Sequence, residues 1–237
     1  MPVLELLHLK GNAFILYNSI MDTNDFLALL NQGATSWNQW RSDHPAIVPE
    51  FRDVNLDGRD LEGFDFSQTR FFNVLMQKAN LRHACFDQAF VKDTLLTDSI
   101  VEGASLCSTN FYRSRLINLD LRSCAFSPLM FSETLLWNAN LSGCDLKLAN
   151  YSKCNLRQAQ LTHTRLDGAS LTDCDLTEAK FNGAILVDAD LQLSTFLGAD
   201  LSGARLTRAN LTGAYLVNTN LDYADLADAS LQASVMI

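Results

Sequence analysis

From Phe51 to Met236 every fifth residue is apolar, 38 positions of 38, and most of them are Leu. Two places before each of these centres the residue is small: Ala, Ser, Thr or Cys at 31 of 37 positions between Val54 and Ser234. Just before the centre, Asp or Asn is frequent, as at Asn55, Asp60, Asp65, Asn80, Asp120, Asn140, Asp145, Asp200 and Asn210. The phase never breaks, so no loop is inserted. A straight helix cannot carry this period, because at about 100° per residue a five-residue step turns about 500° and the Leu stripe wanders around the cylinder. A flat strand cannot carry it either, because an odd step puts successive Leu residues on opposite faces. Both objections lapse if each five residues include a corner and the chain winds about an axis. The centre and the small residue two before it then point inward, and the other three face outward. Stacked coils pair their main chains in parallel about 4.8 Å apart. The pattern predicts a β-helical solenoid held by neighbour-to-neighbour contacts.

The stretches ANLSGCDLKLANYSKCNLRQAQL and ADLSGARLTRANLTGAYL resemble the A(D/N)LxX signature of the pentapeptide-repeat family, and the resemblance runs over residues 51–236. It implies an all-β solenoid, a right-handed four-sided parallel β-helix with four repeats to a coil. That gives a little over nine coils and a rod roughly 45 Å long at the parallel-strand spacing. Arg59, Phe64, Val74, Leu119 and Leu129 stand where the family has a small residue. Wider or distorted coils are expected there, especially towards the N-terminal end.

Residues 1–50 lie outside the repeat and are expected to form a short helical cap on the β-helix of residues 51–237. Phe26, Leu30, Gly33, Trp37 and Trp40 fall on one helical face in alternating steps of four and three. Asp22, Thr23 and Asn24 offer N-cap oxygens, and Pro45 and Pro49 bar continuation. The segment LLNQGATSWNQWRSDHPAIVPEF resembles a leader seen before the repeats in many bacterial, notably cyanobacterial, members. Its expected role is to cover the open first coil with Trp37 and Trp40; a partner-docking helix is the sharper alternative. Residues 1–21 are apolar and fit either a strand or a short helix.

Composition narrows the function. A net charge of −9 argues against direct nucleic-acid binding, which takes clustered Lys and Arg. No apolar run reaches the ~20 residues of a membrane span. The first residues carry Glu5 and a single Lys without a small-residue cleavage pattern, so the expectation is a cytoplasmic protein. Six Cys then read as reduced thiols. Cys124, Cys144, Cys154 and Cys174 fall at the small inward site, as core fillers; a disulfide or thiolate site across the pairs Cys124/Cys144 and Cys154/Cys174 is the alternative.

Chemistry is sparse. His8, His44, His83 and His163 are scattered, and the HAC of residues 83–85 has nothing nearby to complete a metal set. No catalytic residue, cofactor or metal is expected, and a straight rod is expected to offer no concave pocket of the usual catalytic kind. What remains is surface. If four repeats make a coil, the face centred on Met76, Leu96, Leu116 and Leu136 turns Leu75, Leu95, Ile117, Leu135, Trp137, Leu197, Tyr215 and Val217 outward. The preceding face adds Phe72, Phe90, Tyr112 and Met130. Such a stripe marks a partner surface or packs on the N-terminal segment or a second copy. The C-terminal coil, with Leu231, Val235, Met236 and Ile237, has no evident cap, so a homodimer joined end to end is expected. Residues 167–237 hold ten acids against Lys180, Arg205 and Arg208. These features point to a non-catalytic interaction scaffold for a protein partner. The family resemblance supplies an alternative, inhibition or protection of a type II topoisomerase (gyrase) by imitating duplex DNA.

Overall fold

The computed structural model describes residues 21–126 and 129–236. Two helices, α1 (Thr23–Leu30) and α2 (Ala34–Asp43), lead into five three-residue strands: β1 (Glu50–Arg52), β2 (Arg70–Phe72), β3 (Phe90–Lys92), β4 (Asn110–Tyr112) and β5 (Met130–Ser132). The strands stack in parallel in chain order. Every partner lies 20 residues on, as Phe51 on Phe71 and Phe111 on Phe131. Single-residue bridges keep that step on three further sides, as Asn55 to Leu75, Asp60 to Asn80 and Asp65 to Cys85, and carry it on to Val235. Four bridged sides per step make a four-sided, right-handed coil, and the register spans nine turns from Glu50 to Val235.

Each pentapeptide position has one physical task. Centres such as Leu201 and Phe181 and small residues such as Ala199 and Ala179 are buried in one continuous core. At most sites where the small residue is Ser, Thr or Cys, its hydroxyl or thiol donates to the centre carbonyl of the coil below: Thr109 to Phe86 (2.8 Å), Thr164 to Leu141 (3.0 Å), Cys174 to Tyr151 (2.8 Å). A polar atom can therefore sit in the core without a hydrogen-bond deficit. The Asp or Asn before the centre accepts from the amide two residues on, as Asp200 from Ser202 (3.0 Å) and Asn220 from Asp222 (3.0 Å). The residue two after the centre turns the corner in the left-handed region, from Asp53 (φ 54°) to Ala233 (φ 56°).

The single helical face expected from Phe26 to Trp40 is divided. Asp22 caps α1 through a capping box with Asp25, and the chain re-enters α2 at Gly33, whose φ of 90° few other residues adopt. The two helices still bring Phe26, Trp37 and Trp40 together over Phe51, with ring centroids 5.6–6.4 Å apart. Helix α2 also takes the place of a missing coil. Trp37 Nε1 donates to the Asp65 carbonyl (2.7 Å), Asn38 bonds both the Gly63 carbonyl and the Asp65 amide (2.8 Å each), and Arg41 donates to the Ser67 carbonyl (2.6 Å). The reading of residues 1–21 as strand or helix lies outside the described residues, Met21 excepted.

The expected N-terminal distortion is absent. The bridges at Asn55, Asp60 and Asp65 are intact because the cap absorbs the oversized residues: Arg59 reaches Asn31 (2.8 Å), and Phe64 packs against Trp37 and Phe66. The distortion lies further on. Among the described residues no bridge joins Ile100 to Asp120 or Ala125 to Asp145, although the same sides are bridged above and below. Leu119, fully buried at a small-residue site, stands in register between Ser99 and Ala139. Ser123 alone among the described corner residues lacks a positive φ. Each lapse is a single rung: in the first gap Leu96 to Arg115 (2.8 Å) and Ser105 to Ala125 hold, and in the next β4 to β5 and Asp120 to Asn140 hold. Beside the open Ile100–Asp120 rung, residues 98–102, Asn118, Asp120, Arg122 and Ser123 line an open surface recess of about 700 Å³.

Candidate interaction surface

The 20-residue register places the apolar residues in columns, and the columns are interrupted. Leu75 bridges Leu95, but Arg115 separates Leu95 from Leu135, and Asn155, Asp175 and Thr195 follow before Tyr215 and Val235. In the companion column Ile117 and Trp137 are followed by Arg157 and Thr177 before Leu197 and Val217. The continuous stripe expected from the sequence is therefore two patches. One gathers Leu75, Leu95, Ile117, Leu135 and Trp137; the other lies near the C-terminal end.

The first patch has a centre. Ile117, Leu135 and Trp137 line a shallow recess of about 240 Å³ bounded by Asn155 and Arg157. Trp137 is 47% exposed, yet its indole N–H donates to Gln158 (2.9 Å), and Gln158 in turn donates to Glu178 (2.8 Å). That chain holds the ring across its neighbours instead of leaving it free to rotate.

The preceding face is less open than expected. Phe72 lies 5.7 Å from Phe90, and the Arg52 guanidinium covers it at 3.9 Å. Tyr112 is flanked by Lys92 and Arg113, at 5.8 and 5.4 Å from its ring. Asn110 separates Phe90 from Met130, so of this group only Met130 is largely exposed.

Among the exposed apolar residues that escaped the sequence reading are Leu148 and Leu193. Both are corner residues, and each leans over a glycine one coil on, Gly168 and Gly213. His83 and His163 do the same: a Cβ added at Gly103 or Gly183 would lie 2.5 or 2.6 Å from the ring. A large residue at a corner followed one coil later by Gly is the signal that would have found them. His44 stacks on Trp40 at 5.2 Å and bonds its carbonyl (2.9 Å). Among the described residues no group of three or more His, Cys, Asp or Glu could hold a metal ion, and no helix is long and apolar enough to cross a membrane.

All six cysteines are free. Burial, the dominant cause, pushes the thiols of Cys124 and Cys154 up to about 12 and that of Cys144 up to about 11, and raises Cys174 as well. Thiolate chemistry is remote from groups held in the protonated form. At the C-terminal end, Leu221, Leu226 and Leu231 are only partly buried, and Val235 and Met236 are exposed; Ile237 lies outside the described residues. The ten acids of the last third are distributed over all four sides of the coil, for example Asp200, Asp188, Asp190 and Asp175 on successive ones.

Among solved structures the chain is similar to Rfr23, a pentapeptide-repeat protein from the cyanobacterium Cyanothece 51142, with 37% identity over 39% of this chain and a TM-score of 0.39. It spans 64% of that structure's length. It is also similar to HetL, a pentapeptide-repeat protein involved in heterocyst differentiation regulation from the cyanobacterium Nostoc sp. strain PCC 7120 (24% identity, 91% of this chain, 97% of that one, TM-score 0.37). A third is QnrB1, a plasmid-mediated fluoroquinolone resistance protein (18% identity, 81% of this chain, 92% of that one, TM-score 0.38). No curated protein matches the chain. The family model for pentapeptide repeats matches eight copies over residues 50–88, 131–168, 154–192 and 199–236, more than half of the sequence. With the five-residue period, the four-sided coil and this match, the chain belongs to the pentapeptide-repeat family.

Proposed function

We propose that the protein is a non-catalytic scaffold whose rigid coil holds a partner protein against the surface centred on Trp137. The observation that carries this reading is the apolar recess of Ile117, Leu135 and Trp137, with the indole pinned by Gln158. A large, pre-positioned aromatic beside aliphatic neighbours and rimmed by polar groups is the usual build of an interface hot spot. Leu75 and Leu95 extend the patch, and Phe90, Tyr112 and Met130 form its margin. Burial raises the thiols of Cys124, Cys144, Cys154 and Cys174 and so disfavours these four as nucleophiles. The test is capture on immobilised protein, comparing the wild type with a Leu135→Asp, Trp137→Asp double variant whose fold is checked by circular dichroism. A protein retained by the wild type and lost by the variant supports the reading; equal capture by both, or none by either, sinks it.

The same proposal includes a homodimer through the C-terminal coil, supported by the partly buried Leu221, Leu226 and Leu231 and the exposed Val235 and Met236. A parallel edge with an apolar cross-section invites a second copy. Light scattering at micromolar concentration is expected to give a dimer that Val235→Asp converts to monomer; a monomeric wild type would overturn the dimer. A reducing, cytoplasmic location suits six free thiols and is proposed on that ground.

A further inference from the structure

The Trp137 surface carries a charge that the coil leaves unanswered. Arg115 stands in the apolar column, bridged to Leu95 on one side and to Leu135 on the other, with Ile117 two residues further along its own coil. The arginines around it find a carboxylate: Arg113 pairs with Asp93 (2.7 Å) and Arg157 with Asp175 (3.4 Å). The remaining acids at the two flanking corners are engaged as well. Asp98 accepts from the Asn118 amide group (2.7 Å) and Glu133 from the Tyr112 hydroxyl (3.4 Å). Arg115 is exposed, and among the described residues its guanidinium meets no carboxylate and no hydrogen-bond acceptor. The docking face is therefore an apolar patch with one unpaired cation inside it. Arg and Trp are the residues enriched where interfaces concentrate their binding energy. A planar guanidinium also holds a carboxylate by two parallel N–H bonds.

The main chain of this face decides what kind of element can lie on it. The Arg115 amide donates to Thr94 (2.9 Å), Leu96 to the Arg115 carbonyl (2.8 Å), Leu116 to Leu135 (2.7 Å) and Leu135 to Ser114 (2.9 Å). The ladder is complete here, so an added strand would find no free amide or carbonyl. The occupant must satisfy its own main chain, as an α-helix does. Spacing agrees. Successive coils lie about 4.8 Å apart, and an extended chain returns a side chain to the same face every ~6.7 Å. Successive turns of a helix lie about 5.4 Å apart. Over Leu95, Arg115 and Leu135 a helix laid along the coil axis therefore stays in step to about 1 Å. A strand laid the same way falls out of step by about 4 Å. The recess of Ile117, Leu135 and Trp137 receives an apolar side chain at one end of the triad. The net charge of −9 is screened beyond about 10 Å at ordinary salt, so the nearby cation governs the contact. Resting on the reading of this surface as the docking face, we infer that its occupant is an amphipathic helix of the partner protein. That helix lies along the coil axis and presents an apolar, an acidic and an apolar residue on successive turns, the carboxylate on Arg115.

The probe is a fluorescein-labelled peptide of about 18 residues, long enough to form helix in isolation, followed by fluorescence anisotropy on the full chain. It carries Leu, Glu and Leu on successive turns of one face, with Ala and Gln elsewhere. Controls are the same peptide with Lys in place of Glu and one with Pro at its centre. Arg115→Glu and Trp137→Asp alter exposed side chains, and circular dichroism checks that both variants keep the fold. The expected result is binding to the wild type, weakened about tenfold or more by Arg115→Glu and by the central Pro. The Lys peptide should reverse the preference and bind Arg115→Glu more tightly than the wild type. Trp137→Asp should abolish binding of both. If Trp137→Asp abolishes binding while Arg115→Glu and the Lys peptide change nothing, the acidic helix is wrong and the docking surface stands. Equal binding of the Pro peptide, binding that survives Trp137→Asp, or no binding of the Glu peptide to the wild type each overturns the inference as well; the surface itself is decided separately, by the capture experiment.

Discussion

Tyr151 is the largest polar side chain in the core and the clearest place to test the packing argument. It continues a column of stacked rings, 5.2 Å above Phe131, which itself lies 5.2 Å above Phe111. Its hydroxyl is buried with no hydrogen-bond partner among the described residues. Phe131 fills the equivalent site one coil below, so Tyr151→Phe removes one atom and leaves the ring in place. Burying a hydroxyl without a partner costs about 1–3 kcal/mol in proteins. Against that gain stands the loss of a few dispersion contacts of about 0.1–0.2 kcal/mol each. The substitution should therefore stabilise the protein by about 1 kcal/mol, raising the thermal midpoint by roughly 2–4 °C at this chain length. Urea unfolding followed by circular dichroism gives the free energy, with the denaturant slope unchanged if the two states are the same. Destabilisation of about 1 kcal/mol or more would refute the reasoning, because it would mean the hydroxyl is bonded in solution, with the thiols of Cys144, Cys154 and Cys174 nearest in influence. Spectrophotometric titration offers an independent check. Burial raises this phenol well above its ordinary value, so one of the five tyrosines should ionise only as the protein unfolds.

The other predictions concern the cap, the thiols and the acid limit. Trp37→Ala empties the fully buried centre of the cap and leaves the Asp65 carbonyl without its indole donor; a loss of about 3–5 kcal/mol is expected, with exchange in residues 50–70 rising before that in the C-terminal coils. At pH 8 Ellman's reagent should modify Cys85 and Cys107, which sit on the outer surface, well before the four inward thiols, whose reaction should follow unfolding. Asp188 is held below its ordinary 3.8 by the Arg208 guanidinium, and Asp225 by the Ala227 amide and then the Thr207 hydroxyl. A carboxylate depressed in the folded state contributes stability that is complete above the unfolded value and lost as pH falls through the folded one. The urea midpoint should therefore hold from pH 8 to about 5 and drop below about 4, and Arg208→Ala should remove the share due to Asp188.

Much of the coil was legible because the repeat assigns a direction to every side chain. Leu201 and Ala199 are inward, and Asp200 bonds the Ser202 amide, because the corner two residues after each centre leaves no freedom to do otherwise. The tryptophans of the cap were legible for the same reason, as large apolar residues outside the repeat with an open coil to cover. The break at Gly33 was not, since a helical period continues through it and only the backbone angle shows the division. The apolar stripe was overread in a different way. Its members fall in columns that also hold Arg115, Asn155 and Asn110, and counting only the apolar members hid the gaps.

The oversized inward residues show why a local rule needs its surroundings. Phe64 and Leu119 violate the small-residue rule alike, yet of the two only Leu119 has an open rung beside it, Ile100 to Asp120. Phe64 lies in the first coil, where the side above the misfit is the cap, and Trp37 and Phe66 close around it. Leu119 lies between coils whose own small sites, Ser99 and Ala139, are already filled, and the Ile100–Asp120 rung beside it is open; Leu129, equally buried between Thr109 and Ala149, keeps its rungs to Asn110 and Asn150, so a misfit alone does not open one. The corner then decides which side separates. A left-handed residue would return the chain to the rung below, and Ser123 does not adopt that conformation. A misfit in the core and a corner residue that does not turn left therefore act together, and their coincidence within five residues, Leu119 with Ser123, is the feature of this sequence that marks the opening.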